Sequence, residues 1–312
     1  MSMLSLNTNA ASLFTQSHMG FAQRSLNTAM TRMGTGLRIN SAMDDASGLQ
    51  IAKRMESDSR GMQVAMRNAQ NGISMLQTAE GSLNEATNIV LRMKELATEA
   101  ASTGSSSTAD REALQAEFDQ LGAELGNVIR GTRYGSEALF AAGKLTHELT
   151  FQIGASRSEV MTVDVSGHLT EIAQAAGQLS SWYANNANNA NNTNNTNNTN
   201  NANNANNATR GTRGTELTGN TATTVIEHAE TLLSHMTKLR SNLGANAKRL
   251  EHIYNNQSNV LNNTEVARSR IMDADYAKEQ ATMSSRMMLM QAGTSMLKSS
   301  GMLNQLALSL MQ

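Results

Sequence analysis

The chain has 312 residues, enough for a sizeable core and, at about 150 residues per domain, for roughly two domains. It has no cysteine, which excludes disulfides, zinc thiolates and cysteine nucleophiles, and no proline, where ordinary usage of about 5% would give roughly 16. A net charge of −1 provides no field to gather nucleic acid or anionic lipid, and an aromatic content of 3% leaves cores to be filled by Leu, Met, Ile and Ala.

Proline removes a backbone donor and kinks helices, so its absence predicts long unbroken helices and a mainly α fold. The opening Met1-Ser2-Met3-Leu4-Ser5-Leu6-Asn7-Thr8-Asn9 lacks the basic start and apolar run of a secretory signal, so export is expected without a cleaved signal peptide. No stretch reaches the run of about 18 apolar residues that spans a bilayer, and membrane insertion is not predicted.

A helical stripe at Leu6, Ala10 and Leu13 continues after a phase shift as Leu26, Met30, Met33 and Leu37. Ser41-Ala42-Met43-Asp44-Asp45 then has the residues of a helix start, where side-chain oxygens meet free amides and acids meet the positive helix end. Over 51–100 one heptad position reads Met55, Met62, Ala69, Leu76, Leu83, Val90, Ala97, and its partner reads Ile51, Asp58, Ala65, Gly72, Ala79, Ala86, Met93, Ala100. That repeat of 3.5 residues predicts a left-handed coiled coil, in a rod roughly 75 Å long at about 1.5 Å per residue.

A Gly/Ser/Thr-rich break at 102–108, with Asp110 as helix starter, leads to a shorter seam at Leu114, Phe118, Leu121, Leu125 and Val128, predicting a helical hairpin. At 149–153 and 160–165 the pattern turns to alternating, β-branched residues joined by Gly154-Ala155-Ser156-Arg157-Ser158, a β-hairpin signal. Residues 185–208 repeat Asn-Asn-Ala or Asn-Asn-Thr, too polar to offset the entropy of ordering, and read as a solvated spacer. The sequons at Asn191, Asn194, Asn197 and Asn207 follow from that repetition.

A second 3.5-residue seam runs Val225, Ala229, Leu232, Met236, Leu239, Leu243, Asn246, Leu250, Ile253, Gln257, Val260, Thr264, Ala267, Ile271, with Asn246, Gln257 and Thr264 as polar interruptions able to fix register. Its length matches the first seam, so Leu76, Leu83 and Val90 are expected to pair with Leu239, Leu243, Leu250 and Ile253. Beyond a polar joint containing Arg268, Arg270, Asp273 and Asp275, read as a salt-linked capped bend, the far end carries Leu289, Ala292, Met296, Leu303, Leu306 and Leu310. Both terminal stripes lack apolar neighbours in their own segments, so their partners are expected in other copies.

No catalytic, cofactor or metal motif survives inspection. Of His18, His147, His168, His228, His235 and His252, only His228 and His235 share a stripe, and two helical turns put them about 10.5 Å apart, too far for one ion. Gly126 to Gly131 has phosphate-loop spacing, yet Thr132-Arg133 follows where Lys and Ser or Thr are required. His147-Glu148 lacks the second histidine of a zinc-protease helix, and a Gly-x-Ser-x-Gly nucleophile turn is absent.

The run Thr35-Gly36-Leu37-Arg38-Ile39-Asn40-Ser41-Ala42-Met43-Asp44-Asp45-Ala46-Ser47-Gly48 closely resembles the amino-terminal signature of bacterial flagellins. The resemblance continues through Arg67-Asn68-Ala69-Gln70-Asn71-Gly72-Ile73-Ser74, Gln77-Thr78-Ala79-Glu80-Gly81-Ser82-Leu83-Asn84-Glu85 and Lys94-Glu95-Leu96-Ala97. It resumes at Ala267-Arg268-Ser269-Arg270-Ile271-Met272-Asp273-Ala274-Asp275-Tyr276-Ala277 and Gln291-Ala292-Gly293-Thr294-Ser295. Gly135-Ser136 stands where the family usually has Asn-Gly, and the Asn tract replaces the outer domains.

The resemblance implies a structural subunit, not an enzyme, that polymerises head to tail into the extracellular flagellar filament for motility. The alternatives are a hook-filament junction protein and, less favoured, display of an adhesin or enzyme. It implies polymerisation segments at 1–44 and 273–312 that pair into an inner tube of coiled coils, a helical rod with β-hairpin at 45–183, a linker at 184–209 and a rod helix at 210–272 that pairs with 45–130. The subunit interface would use Leu6, Leu13, Leu26, Met30, Met33, Leu37, Leu289, Met296, Leu303, Leu306 and Leu310. It further implies an export chaperone, a filament cap and hook-junction proteins as partners, and a host Toll-like receptor patch at Arg92, Leu96 and Glu117, from whose commonest form Met93, Lys94 and Thr98 depart.

Overall fold

The computed structural model describes residues 10–102, 107–180, 215–218 and 221–309, the stretch 303–309 by its backbone alone. The Asn tract, Leu6 and Leu310 therefore lie outside the described residues, as do the side chains of Leu303 and Leu306. Contacts divide the chain into two units, residues 61–259 and residues 1–60 with 260–312.

The 61–259 unit is organised by helices α2 (Ala46–Ala101) and α5 (Ala222–Met272). Within it α2 buries Ala65, Ala69, Gly72, Leu76, Ala79, Leu83, Ala86, Val90, Met93, Ala97 and Ala100, in steps of three and four that keep one seam inward. Helix α5 answers with Val225, Ala229, Leu232, Met236, Leu239, Leu243 and Leu250 in the same core, and Ile253 packs on its edge. The pairing is antiparallel. Gly72 abuts Leu250, Glu80 pairs with Arg240 at 4.0 Å, the Thr87 hydroxyl meets the Met236 sulfur at 4.0 Å and Lys94 pairs with Glu230 at 2.9 Å. Where the two helices meet at Gly72 and Leu250, a small residue on α2 makes room for a large one on α5.

Two details of the seams differ from the pattern in sequence. Near its start α2 buries Ala52 and Ser59, whereas Ile51 and Asp58 are exposed. The successive three-residue steps Ser59, Met62, Ala65 shift the seam by one residue, which a strict heptad reading cannot register. Asn246 donates its Nδ2–H to Asn242 O at 2.9 Å within α5, so its amide is satisfied by its own helix.

Helix α3 (Thr108–Gly131) starts one turn earlier than Asp110 suggests, because Ser107 is the N-cap and Asp110 the third helical residue. Ser107 Oγ accepts from the Asp110 N–H at 3.2 Å while Asp110 Oδ2 accepts from the Ser107 N–H at 2.9 Å, a reciprocal capping box. Phe118, Leu125 and Ile129 face the core. The buried Gln115 fastens the returning chain to α3: its Nε2 donates to Glu216 at 2.8 Å, its Oε1 accepts from the Leu217 N–H at 2.6 Å, and Leu217 is buried.

Strands β1 (Arg133–Tyr134) and β2 (Glu137–Ala138) form a hairpin that the sequence reading did not include. Its two-residue turn has φ of +63° at Gly135 alone, the requirement of a type II′ turn. Strands β3 (Leu149–Gln152) and β4 (Val160–Val163) pair antiparallel, Leu149 opposite Val163, as the alternation predicts. Met161 and Val163 point inward from β4, and α4 (Ser166–Leu179) adds Ile172, Ala175, Ala176 and Leu179 to the same core.

The other unit contains α1 (Ala10–Thr35), the segment 36–45, the first turns of α2, the end of α5 and α6 (Tyr276–Ser309). Only a few residues are buried here, chiefly Ala22, Leu26, Ala29, Ile39, Ala52, Ser59 and the backbone of Gly48 and Gly293.

Candidate functional site

In the terminal unit two distant pieces of sequence meet, and their junction explains the residue types at 35–48. Helix α1 ends at Gly36, whose φ of +73° strains any residue with a Cβ. The next residues pair with the end of α5: the Arg38 N–H donates to Met272 O at 2.6 Å and the Ala274 N–H to Gly36 O at 2.9 Å. The Arg38 guanidinium donates twice to Ile271 O, at 2.6 and 3.2 Å, satisfying a carbonyl that the helix end leaves free. Ile39 is buried beside Gly48, where an added Cβ would lie 2.8 Å from Ile39 Cδ1.

Asp44 Oδ2 accepts from the N–H groups of Ser41 and Asn40 at 2.9 and 3.0 Å, and these bonds hold its carboxyl below the usual range. Asp45 caps α2 by accepting from the Gly48 N–H at 2.8 Å. At the other joint Asp275 caps α6 through the Ala277 and Lys278 N–H groups, at 3.0 and 3.2 Å. This bend is not salt-linked as the sequence suggested. Arg268 turns back one helical turn to Glu265 at 2.8 Å, Ser269 donates to Asp273, and the main-chain bonds to 36–38 close the joint.

Helices α1 and α6 run antiparallel with Cα atoms repeatedly within 8 Å. Tyr276 Oη donates to Met33 O at 2.9 Å, Arg32 pairs with Glu279 at 3.2 Å, and Met19 lies over Gly293, where an added Cβ would meet Met19 Cγ at 2.7 Å. The inward face of α6 reads Glu279, Met283, Arg286, Met290, Gly293, Leu297, Ser300, a 3.5-residue period. The expectation that the terminal stripes have no cover within the chain is therefore corrected. Leu26 is buried, and Met33 and Leu37 are half-buried, Leu37 forming a backbone bridge to Asp273.

A second apolar face remains open on each helix. On α1, Leu13, Phe14 and Phe21 lie on the side away from Leu26, the two phenylalanines 68% exposed. Phe14 stacks edge-on with His18 at 4.3 Å, and Arg24 stands 5.0 Å over the Phe21 ring. Met30 is exposed at the margin of the covered face. On α6, Met288, Leu289, Ala292 and Met296 form a stripe roughly a quarter turn from the covered face, at about 100° per residue. Leu289 and Met296 thus stand beside the covered face, 50% and 66% exposed.

The residues expected at a receptor patch separate by burial. Arg92 and Glu117 are exposed and joined at 2.9 Å, which raises the Arg92 pKa, whereas Leu96 is fully buried in the core. Elsewhere Glu171 accepts at 3.0 Å from His235 and lies 3.4 Å from His168, and hydrogen bonding to His168 is the main cause that lowers its pKa. Among the described residues no group of three His, Cys, Asp or Glu is arranged to hold a metal, and no helix is long and apolar enough to cross a membrane.

Sequence comparisons match the two ends of the chain. Residues 6–144 match the bacterial flagellin N-terminal helical region and residues 226–311 the bacterial flagellin C-terminal helical region. Flagellin A of Vibrio anguillarum is 31% identical over 380 aligned positions, which take in 99% of this chain and all of that protein. Polar flagellin C of Vibrio parahaemolyticus is 31% identical over 385 positions with the same coverage. These alignments exceed the 312 residues here, so the relatives carry residues at positions where this chain has none. A crystal structure of Bacillus cereus flagellin superposes on 61% of this chain and 88% of its own, with a TM-score of 0.43 and 22% identity.

Proposed function

Because the chain belongs to the bacterial flagellin family and is a structural subunit of the extracellular flagellar filament, not an enzyme, we propose that the open faces of α1 and α6 are the surfaces on which copies pack head to tail. The observation that carries this reading is the second apolar face on helices whose first face is already covered within the chain. A non-closing, heterologous contact between such faces generates a helical polymer, and burying Leu and Phe side chains supplies the driving force.

In this reading Leu13, Met30, Leu289 and Met296 touch neighbouring copies, while Leu26, Met33 and Leu37 hold α1 in place. Segments 1–44 and 273–312 are the polymerising parts, 45–183 and 210–272 the supporting rods, and 184–209 a spacer. Leu6, Leu303, Leu306 and Leu310 extend the same stripes by their spacing. An export chaperone, a filament cap and hook-junction proteins engage these stripes before and during assembly. A host Toll-like receptor would meet the Arg92 and Glu117 ridge, with Leu96 acting from the core beneath it.

The test is seeded elongation followed by electron microscopy. Leu289→Asp with Leu13→Asp is expected to abolish growth on seeds and leave the melting temperature of the monomer within about 2 °C, because both sites are exposed. Filaments of ordinary length from the double variant would overturn the assignment.

A further inference from the structure

The sulfur of this chain is unevenly placed. All of it is in 21 methionines, with no cysteine to react first with an oxidant. Among the described residues the buried methionines, Met62, Met75, Met93, Met161 and Met236, all belong to the 61–259 unit. The most exposed of the described ones, Met30, Met43, Met287, Met288, Met296 and Met302, all belong to the terminal unit. Two of these, Met288 and Met296, are 65% and 66% exposed, stand one turn either side of Ala292, and flank Leu289 on the open stripe of α6.

We propose that Met288 and Met296 are oxidation sites of the unassembled subunit, at which a peroxide converts the open stripe of α6 from apolar to polar and blocks addition to the filament. The inference rests on the reading of that stripe as an assembly surface. The thioether sulfur attacks one peroxide oxygen, an S–O bond forms as the O–O bond breaks, and sulfur loses two electrons. The displaced hydroxide takes the proton of the transferred oxygen and leaves as water, so one peroxide is consumed per sulfoxide. A sulfoxide oxygen facing an apolar neighbour must give up its water without gaining a donor, which opposes packing. Met62, Met75, Met93, Met161 and Met236 lie in a closed core and are shielded. The same stripe becomes shielded once a neighbouring copy covers it, so the vulnerable species is the free subunit.

The experiment treats full-length monomer and preformed filaments with dilute hydrogen peroxide, maps single-oxygen mass gains by peptide mass spectrometry, and measures seeded elongation. Met43, at 96% exposure, gives the rate for an open thioether, and Met93 and Met236 give the rate for closed ones. Met288 and Met296 in the monomer are expected to react within about threefold of Met43 and at least about tenfold faster than Met93, and to slow at least about tenfold in filaments. Oxidised monomer is expected to elongate at least about tenfold more slowly and to recover with methionine sulfoxide reductase. A Met288→Leu, Met296→Leu variant keeps size and apolarity, so it should elongate normally and retain its rate after peroxide.

The proposal is overturned if the monomer is oxidised at both sites and still elongates at full rate, or if the leucine variant remains as sensitive as the parent. Those outcomes leave the assembly reading intact when Leu289→Asp still stops growth. Elongation that survives both oxidation and Leu289→Asp removes the assembly reading itself.

Discussion

The two units of this flagellin use helices in opposite ways. In residues 61–259 the seams of α2 and α5 close over fully buried leucines and methionines, and β3, β4 and α4 complete the cover. In the terminal unit α1 brings Ala22, Leu26 and Ala29 against α6, whose Gly293 lies beneath Met19, while Leu13, Phe14, Phe21, Met288, Leu289 and Met296 stand exposed. A helix that leaves large apolar side chains exposed keeps part of its hydrophobic free energy for a later contact. The first unit closes its apolar surface within the chain, and the second leaves part of its own open.

The largest effect that would sharpen this contrast is expected from Leu239→Ala. That side chain is fully buried in the closed unit, and its truncation should lower unfolding free energy by about 2–5 kcal/mol, measured by denaturant unfolding of the monomer. An equivalent loss from Leu289→Ala would break the comparison, since that residue is exposed. Next in size is Gly293→Leu, which has no room beneath Met19 and should destabilise the α1–α6 pair by about 1–3 kcal/mol. Loss of amide-exchange protection confined to residues 10–35 and 276–302 would place that effect in the terminal unit.

Ser107→Ala removes one half of the α3 capping box and should cost about 1 kcal/mol, read as a small fall in melting temperature without change in elongation. Smallest is the pH response of the 36–45 segment. The Asp44 carboxyl is held below its ordinary value of 3.8 by the amides of Ser41 and Asn40. A group whose pKa is lower when folded stabilises the fold above its unfolded value, and that contribution disappears as pH falls through the folded value. Amide exchange at Asn40 and Ser41 should therefore stay protected down to about pH 4 and accelerate below it, and Asp44→Asn should accelerate it at neutral pH.

The long helices were legible because the 3.5-residue period of Leu76, Leu83 and Val90 against Leu239, Leu243 and Leu250 survives in burial. The β3–β4 hairpin was legible from alternation, and the start of α3 from Asp110, to within one turn. The β1–β2 hairpin was missed because two-residue strands carry no period, although Gly135-Ser136 is a turn signal. On the candidate surface, spacing grouped Leu13, Leu289 and Met296 with Leu26, and the first three are exposed whereas Leu26 is buried within the chain. A helix with two apolar faces gives a weak single stripe, and spacing alone does not tell which face is used first.

By itself the sequence determined the continuous helices, since an absence of proline and a sustained apolar period leave no competing conformation. It also determined the absence of any catalytic motif, because the required spacings are missing. Only the tertiary structure decided that α1 and α6 cover each other, that Arg38 and the backbone of 36–38 close the joint at 271–274, and that Leu96 lies inside. The first two depend on contacts between residues more than 200 positions apart and the third on packing among separate helices, and in each case neither local propensity nor periodicity carries information about the partner.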